Sequence, residues 1–233
     1  MKRTSLLIIQ LTLIFSCYAQ QRLTKNGHQS NSTFANEFLN NFTLGQLPYN
    51  TKNIDIVFGS LEKKYKKISE TEIRKYISKD IYDIGYDYVS HNSDNWNDSI
   101  SGFAKFEYNY ICQFSLNNFH PVLYLKGDPV DSLSVYFANY SSAGKCLDKL
   151  IIHCYKDEFE IRKAKINADF TIKICKYEPI DNIEKTKITI YHFRLNSLTG
   201  MFNKISEETK IGKKYFNEYL FSKVDLSDDP INQ

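Results

Sequence analysis

The chain has 233 residues, of which 42% are hydrophobic and 24% charged. That size and composition allow a domain with a substantial core and exclude collagen, coiled coils and wholly disordered chains. The formal net charge of +3 excludes a general electrostatic attraction to nucleic acid or to an anionic membrane surface.

Residues 1–19 have the pattern of a secretory signal peptide. Lys2 and Arg3 supply a positive N-terminal end, the run from Leu6 to Phe15 is mostly apolar, and the small residue Ala19 precedes Gln20. The apolar run is too short to cross a membrane as a helix, which takes about 20 residues. The sequence therefore predicts an exported protein, periplasmic or secreted, with cleavage after Ala19.

A second interpretation of the leader involves Cys17. The segment from Ile14 to Cys17 resembles the bacterial lipobox, in which the cysteine becomes the lipidated first residue of the mature protein. Under this alternative the protein is an outer-membrane lipoprotein, anchored through Cys17. Both interpretations remove Lys2 and Arg3, which leaves 28 basic residues against 27 acidic ones and a net charge of +1.

The first part of the mature chain predicts a spacer and two short helices. Residues 20–34 are polar and non-periodic, which is typical of a flexible spacer. Apolar residues at helical spacing between Phe34 and Leu47 indicate one short helix. Ser69 and Glu72 form a capping box, so a second helix is expected over residues 70–78.

After residue 80 the hydrophobic period changes from 3.6 to 2, which predicts β-strands. In the first long strand one face is expected to carry Ala104, Phe106, Tyr108, Tyr110, Cys112 and Phe114. Turn-forming residues at Gly127–Asp131 and at Asn196–Gly200 predict two hairpins. A last short helix is expected around Tyr215–Leu220.

These patterns predict a single mainly-β domain over residues 35–225, followed by a loose tail at 226–233. Strands joined by short turns pair in sequence, so we expect an antiparallel meander of seven to nine strands with one to three peripheral helices. Periodicity does not distinguish an open sheet from a partly closed barrel. The aromatic content of 15% is mostly assigned to the interior of this sheet.

Four cysteines follow the leader: Cys112, Cys146, Cys154 and Cys175. In an oxidising compartment they allow up to two disulfides. The favoured interpretation is that Cys112, Cys154 and Cys175 are buried core residues, because apolar or aromatic residues flank them. The chain also contains four N-x-S/T sequons, a number expected by chance in a sequence so rich in Asn, Ser and Thr.

No catalytic or cofactor-binding motif is found, and no catalytic residue, metal site or cofactor is predicted. His153, Cys154, Cys146 and His192 have the imidazole and thiol groups that usually bind zinc. Adjacent residues of a strand point to opposite faces, so His153 and Cys154 are not expected to share a metal.

One loop is a candidate ligand-binding site. Trp96 lies beside Asp94 and Asn95 and is preceded by Tyr86 and Tyr88. An aromatic face next to amide and carboxylate groups is suited to stacking on a sugar ring and bonding its hydroxyls. The alternative is that Trp96 packs back onto the core, as most tryptophans do.

The layout resembles small exported bacterial proteins of uncharacterised function. The resemblance is carried by the segments CYAQ at 17–20, LPYNT at 47–51, ETEIRKYI at 70–77, LKGDPVDSL at 125–133, NADFTIKI at 167–174 and KITIYHFRLNSLTG at 187–200. It implies a setting in the bacterial envelope or outside the cell, and it implies no activity, cofactor or site.

The sequence thus predicts an exported, non-enzymatic protein that binds a ligand or an envelope partner, with glycans among the candidates, through an aromatic and polar surface. A closed barrel holding a small apolar ligand is a variant of this hypothesis. The alternative is a secreted hydrolase whose site is assembled from distant strands. Nucleic acid is not an expected partner.

Overall fold

Short helices precede a long series of strands in the computed structural model, which describes residues 33–54, 64–79, 82–83, 87–89, 99–101, 104–127, 132–156, 160–180, 185–213 and 230–231. Helix α1 is Thr33–Glu37, and helix α2 is Glu70–Glu72, continued by a π-helical turn at Ile73–Ile77. Two 3₁₀ turns span Leu39–Asn41 and Thr51–Asn53. The strands are β1 Thr43–Leu44, β2 Tyr49–Asn50, β3 Tyr82–Asp83, β4 Asp87–Val89, β5 Ser99–Ser101, β6 Ala104–Lys105, β7 Glu107–Gln113, β8 Phe119–Gly127, β9 Ser132–Ser141, β10 Cys146–Lys156, β11 Glu160–Ile166, β12 Thr171–Ile180, β13 Lys185–Leu195 and β14 Phe202–Lys213.

Strands β7 to β14 pair in sequence order as an antiparallel meander, which confirms the predicted fold class. Short β1 extends the sheet by parallel pairing with β7. Strand β2 pairs with β11 at Lys165 and Ile166, beyond the stretch where β11 pairs with β10. The sheet is open, with β1 and β14 at the ends of the strand order. Among the described residues no helix is long and apolar enough to cross a bilayer.

Both predicted hairpins are confirmed. Gly127 pairs with Leu133 at the end of the β8–β9 hairpin. In the β13–β14 turn, Asn196 Oδ1 accepts hydrogen bonds from the backbone N–H groups of Leu198 and Thr199, and Gly200 N–H donates to Asn196 O. Gly200 has φ +73°, a conformation that glycine adopts without steric cost.

The sheet curls around an apolar core, which we call the central cluster. The start of β14 lies against β9 and β10, because the Phe137 and Phe202 ring centroids are 5.2 Å apart and Asp148 Oδ2 accepts from Phe202 N–H at 2.9 Å. A hydrogen bond from Asn139 Nδ2 to Gly200 O, 2.8 Å long, holds the β13–β14 turn against β9, and we call this contact the clasp. The central cluster contains Ile54, Ile111, Cys112, Phe114, Leu123, Leu125, Leu133, Val135, Phe137, Ile152, Ala164, Ile166, Phe170, Ile172, Ile174, Leu195 and Phe202.

The helices pack on a second group of buried side chains, the helix-side cluster. Phe38 lies at its centre, with 0% of its surface exposed. The predicted helical spacing is confirmed, because Phe34, Phe38, Leu39 and Phe42 are all buried here. The cluster contains Phe34, Phe38, Leu39, Phe42, Ile68, Ile73, Tyr76, Tyr108, Tyr110, Val122, Tyr124, Ala138 and Tyr140.

The predicted face of the first long strand is wrong beyond Tyr110. Tyr108 and Tyr110 belong to the helix-side cluster, whereas Ile111, Cys112 and Phe114 belong to the central cluster. The β7–β8 register shifts between Tyr110 and Cys112. A bulge adds one residue to a strand and breaks its alternation, so β7 contributes to two cores instead of one.

A third cluster covers the other end of the sheet. It consists of Cys175, Tyr177, Ile188, Ile190 and Ile231. Ile231 lies in the segment predicted as a loose tail, and it is 2% exposed. The backbone is tied here as well, because Lys173 Nζ donates to Pro230 O at 2.5 Å. The helix predicted around Tyr215–Leu220 lies outside the described residues.

The structure describes four cysteines, all of them free thiols, and Cys112, Cys154 and Cys175 are buried, as predicted. Burial raises the pKa of the Cys112 thiol to about 12. A thiol of that pKa carries negligible thiolate at neutral pH. Cys112 therefore acts as a small apolar side chain.

Glu72 fastens α2 to the sheet. The predicted capping box is present, since Glu72 Oε2 accepts from Ser69 N–H at 2.9 Å and Ser69 Oγ accepts from Glu72 N–H. The other carboxylate oxygen, Oε1, accepts from the Tyr110 hydroxyl at 2.6 Å and from Asn41 Nδ2 at 3.2 Å. One side chain thus joins the helix cap to β7 and to the 3₁₀ turn that follows α1.

This arrangement makes stability depend on pH. Burial opposes ionisation of Glu72, but hydrogen bonds from Ser69 and Tyr110 outweigh it and hold the pKa of this carboxyl below its ordinary value of 4.5. Because the pKa of Glu72 is lower in the folded protein, its ionised carboxylate stabilises the fold above pH 4.5. This stabilisation is lost as the pH falls through the folded-state pKa. We expect Glu72→Gln to lower the urea unfolding midpoint at pH 7. As the pH falls, the midpoint of this variant is expected to decrease less than that of the parent protein. Glu208→Gln, on the exposed strand β14, is the control, and an unchanged acid profile for Glu72→Gln would contradict the assignment.

Candidate ligand-binding groove

A shallow groove runs between α2 and strands β7 to β10. It has two parts that share Phe106 and Tyr108 in their walls. The outer part, of about 330 Å³, is bordered by the α2 cap at Ser69 and Glu70. The inner part, of about 170 Å³, we call the tyrosine groove, and its lining includes Phe106, Tyr108, Tyr124, Lys126, Tyr136 and Lys149.

Strand register brings the tyrosines together. Tyr124 on β8 pairs directly with Tyr136 on β9, and their rings are stacked with centroids 5.2 Å apart. Tyr108 on β7 pairs with Lys126, and its ring lies 6.2 Å from that of Tyr124. Directly paired residues share a face of a sheet, so three neighbouring strands present these groups on one surface.

The tyrosine hydroxyls are available to a ligand. Within the described part of the chain, those of Tyr108, Tyr124 and Tyr136 form no hydrogen bond. Of the other tyrosines in the helix-side cluster, Tyr110 donates to Glu72 at 2.6 Å and Tyr76 donates to Glu37 at 2.9 Å, whereas the buried Tyr140 hydroxyl has no hydrogen-bond partner among the described residues. The hydroxyls of Tyr108, Tyr124 and Tyr136 differ from that of Tyr140 because these three residues line the groove.

These hydroxyls are protonated at neutral pH. Burial raises the pKa of Tyr108 to about 12 and that of Tyr124 well above its ordinary value. Burial, with the nearby Cys154, also raises the pKa of Tyr136. Phenols of this kind donate hydrogen bonds and do not act as bases at pH 7.

Two lysines border the tyrosine groove, each close to an aromatic ring. Lys126 Nζ lies 3.4 Å from the centroid of the Phe106 ring, and Lys149 Nζ lies 5.5 Å from that of Tyr136. None of the described residues that line this part is acidic. In the outer part Glu107 is paired with Lys67 and Glu70 with Arg74, so their charges are offset.

Most of the predicted site lies outside the described residues, namely Tyr86, Asp94, Asn95, Trp96 and the alternative lipidation site Cys17. Tyr88 lies in β4, which pairs with β5, and its side chain is not described. The role of the predicted loop stays a prediction.

The groove is not predicted by the sequence. The strand pattern places Tyr108 in the core and predicts no role for Tyr124, Lys126, Tyr136 or Lys149. A signal was present in the predicted β8–β9 hairpin, because extending the pairing of Gly127 with Leu133 places Tyr124 opposite Tyr136. The position of α2, which forms the other wall, left no local signal.

The histidines and cysteines weighed as metal ligands are not gathered into a site. Among the described residues no group of three His, Cys, Asp or Glu side chains could hold a metal ion. His153 is partly buried, and burial, with the charge of nearby Lys163, lowers the pKa of its imidazole to about 4. Cys154 Sγ donates to Glu160 Oε1 at 3.4 Å.

Comparison with known proteins found no matching family model, no matching curated protein and no matching solved structure.

Proposed function

We propose that this protein is an exported, non-enzymatic binding domain that takes a ligand or an envelope partner on the tyrosine groove. The observation that carries the proposal is that Tyr108, Tyr124 and Tyr136, whose hydroxyls form no hydrogen bond within the described residues, line one groove. Polar groups that converge on an aromatic surface fix the orientation of a bound ligand. Their high pKa values support binding over proton transfer.

Export is the second half of the proposal, and it is supported by the leader at residues 1–19. Expression with the leader in a bacterium is expected to give a mature chain that begins at Gln20. Intact mass of the exported protein is the measurement. Acyl groups on Cys17 would contradict cleavage after Ala19 and would identify the protein as an outer-membrane lipoprotein.

Binding is tested with Tyr136→Phe, which removes one hydroxyl and keeps the ring. The probes are a glycan array and isolated cell-envelope fractions, followed by calorimetry on whichever component is retained. Loss of one neutral hydrogen bond is expected to weaken binding about 3- to 10-fold. The ring contact with Tyr124 is kept, so the unfolding midpoint is expected to stay close to that of the parent protein.

Tyr191→Phe is the matched control, because Tyr191 is a half-buried tyrosine on β13 that packs against the central cluster. It is expected to bind like the parent protein. Equal binding by Tyr136→Phe and the parent would show that the ligand lies elsewhere, and retention of no probe would count against a binding role. Trp96→Ala, measured in parallel, tests the predicted loop separately.

A further inference from the structure

We infer that two copies of this protein pair edge to edge through strand β14, antiparallel and with a two-fold axis at Thr209. Strand β14 lies at one end of the strand order and pairs with β13 along its length. No other described strand pairs with it. The open edge of a strand carries a row of backbone N–H and C=O groups to which a further strand can bond. This edge is separate from the tyrosine groove, whose described lining includes no residue of β14.

Most of β14 is exposed. The strand begins in the core at Phe202, but each of the nine residues from 203 to 211 is exposed. Ile205 and Ile211, of a residue type that favours half-buried strand positions, are 56% and 67% exposed. Ile205 lies at a bulge in the register with β13, so the regular stretch of this edge begins at Ser206.

Two charged side chains of this stretch have no partner within the described residues of one chain. Glu208 and Lys210 form neither an ion pair nor a hydrogen bond there. On the β13 side they are paired with Ile190 and Ile188, which are buried and apolar. Charges on the neighbouring strands differ, since ion pairs join β11 to β12 and β12 to β13. The open side of β14 is therefore where Glu208 and Lys210 can meet partners.

The order of these charges fits a second copy of β14 in one register. Around a two-fold axis perpendicular to the sheet, odd-numbered residues lie opposite odd-numbered ones and even-numbered residues opposite even-numbered ones. With the axis at Thr209, Glu208 of each copy lies opposite Lys210 of the other, which forms two ion pairs. Moving the axis by one residue places Glu208 opposite itself or Lys210 opposite itself, and like charges in direct opposition are unfavourable. Charge complementarity therefore selects both the partner and the register.

Sedimentation equilibrium of the full mature protein between about 5 and 500 μM tests the pairing, in reducing buffer so that no disulfide joins two chains. One pair of short strands is a small interface, so we expect a weak dimer whose share grows with concentration, and dilute protein is expected to be monomeric. Hydrogen exchange locates the contact. The amides of residues 206–212 are expected to gain protection in the concentrated protein.

Charge-exchange variants test the register. Glu208→Lys and Lys210→Glu each replace two attractive pairs with two repulsive ones, so either is expected to weaken dimerisation about tenfold. Both substitutions together restore the pairs and are expected to restore dimerisation. Lys145→Glu, which makes the same charge change as Lys210→Glu at an exposed residue between β9 and β10, is the control and is expected to dimerise like the parent.

A protein that stays monomeric up to about 500 μM would overturn the proposed pairing. A dimer that forms equally well in Glu208→Lys and in Lys210→Glu would also overturn it, because another surface would then join the two copies. If both single variants weaken the dimer and the double variant does not restore it, the two-fold axis at Thr209 is wrong. None of these results bears on the tyrosine groove.

Discussion

Phe38→Ala is expected to lower the free energy of unfolding by about 3–5 kcal/mol, the range for truncating a buried aromatic side chain. Phe38 is fully buried and its ring centroid lies 4.9–5.8 Å from those of five other rings: Phe34, Phe42, Tyr76, Tyr110 and Tyr140. Helix α1 has five residues, too few to be stable alone. Its attachment to α2 and to the sheet therefore depends on this contact, and urea unfolding measures its contribution.

Two variants control this result. Phe38→Leu keeps most of the side-chain volume and is expected to cost less than Phe38→Ala, because a smaller cavity is left. Leu198→Ala removes a side chain that is 89% exposed and is expected to change stability by less than about 0.5 kcal/mol. A loss below about 1 kcal/mol for Phe38→Ala would mean that the aromatic packing around α1 is not part of the cooperative core.

Gly200→Ala is expected to destabilise the protein by about 2–5 kcal/mol, through a positive φ and overpacking together. With φ at +73°, an added Cβ would lie 2.6 Å from Leu147 Cδ1 and 2.8 Å from Asn139 Nδ2. Both distances are below 3.0 Å, closer than Cβ atoms approach non-bonded atoms in real structures, and Asn139 is the donor that ties the turn to β9. The substitution therefore strains the backbone and breaks the clasp between β9 and the start of β14. Thermal and urea unfolding measure the loss.

Gly127→Ala is the matched control. It also ends a strand at a hairpin, but its nearest contact would be 3.4 Å, to Leu133 Cδ2. We expect it to be within about 0.5 kcal/mol of the parent. If the two alanine variants lose the same stability, the effect comes from glycine replacement in general and not from the β13–β14 turn.

Local patterns in the sequence were enough to predict most of the fold. Alternation of apolar and polar residues predicts the long strands, and turn residues at Gly127 and Gly200 predict the hairpins. Hairpins that follow one another along the chain form an antiparallel meander. The bulge at Ile111 was not predictable, because an extra residue in an apolar run does not alter composition or period enough to be seen. The pairing of β2 with β11 joins residues far apart in the chain and has no local signature.

The candidate site was harder to predict for a related reason. A tyrosine on a strand has the same pattern whether its hydroxyl is bonded, as for Tyr110, or available, as for Tyr108. Only the neighbours decide, and for Tyr110 the neighbour is Glu72 on α2. The position of Trp96 in a polar loop is a local property that the sequence shows. The groove depends instead on how β7, β8, β9 and α2 pack together.

The clasp between β9 and the β13–β14 turn bears on glycosylation. Asn139 begins the sequon Asn139-Tyr140-Ser141, yet its side chain is 0% exposed and its amide nitrogen already donates to Gly200 O. That nitrogen is the atom to which an oligosaccharide would be attached. In a eukaryotic host the site can be modified only while β9 and the turn are apart. Occupancy at Asn139 would thus record the share of chains that were modified before they folded, and those chains could not close the clasp afterwards.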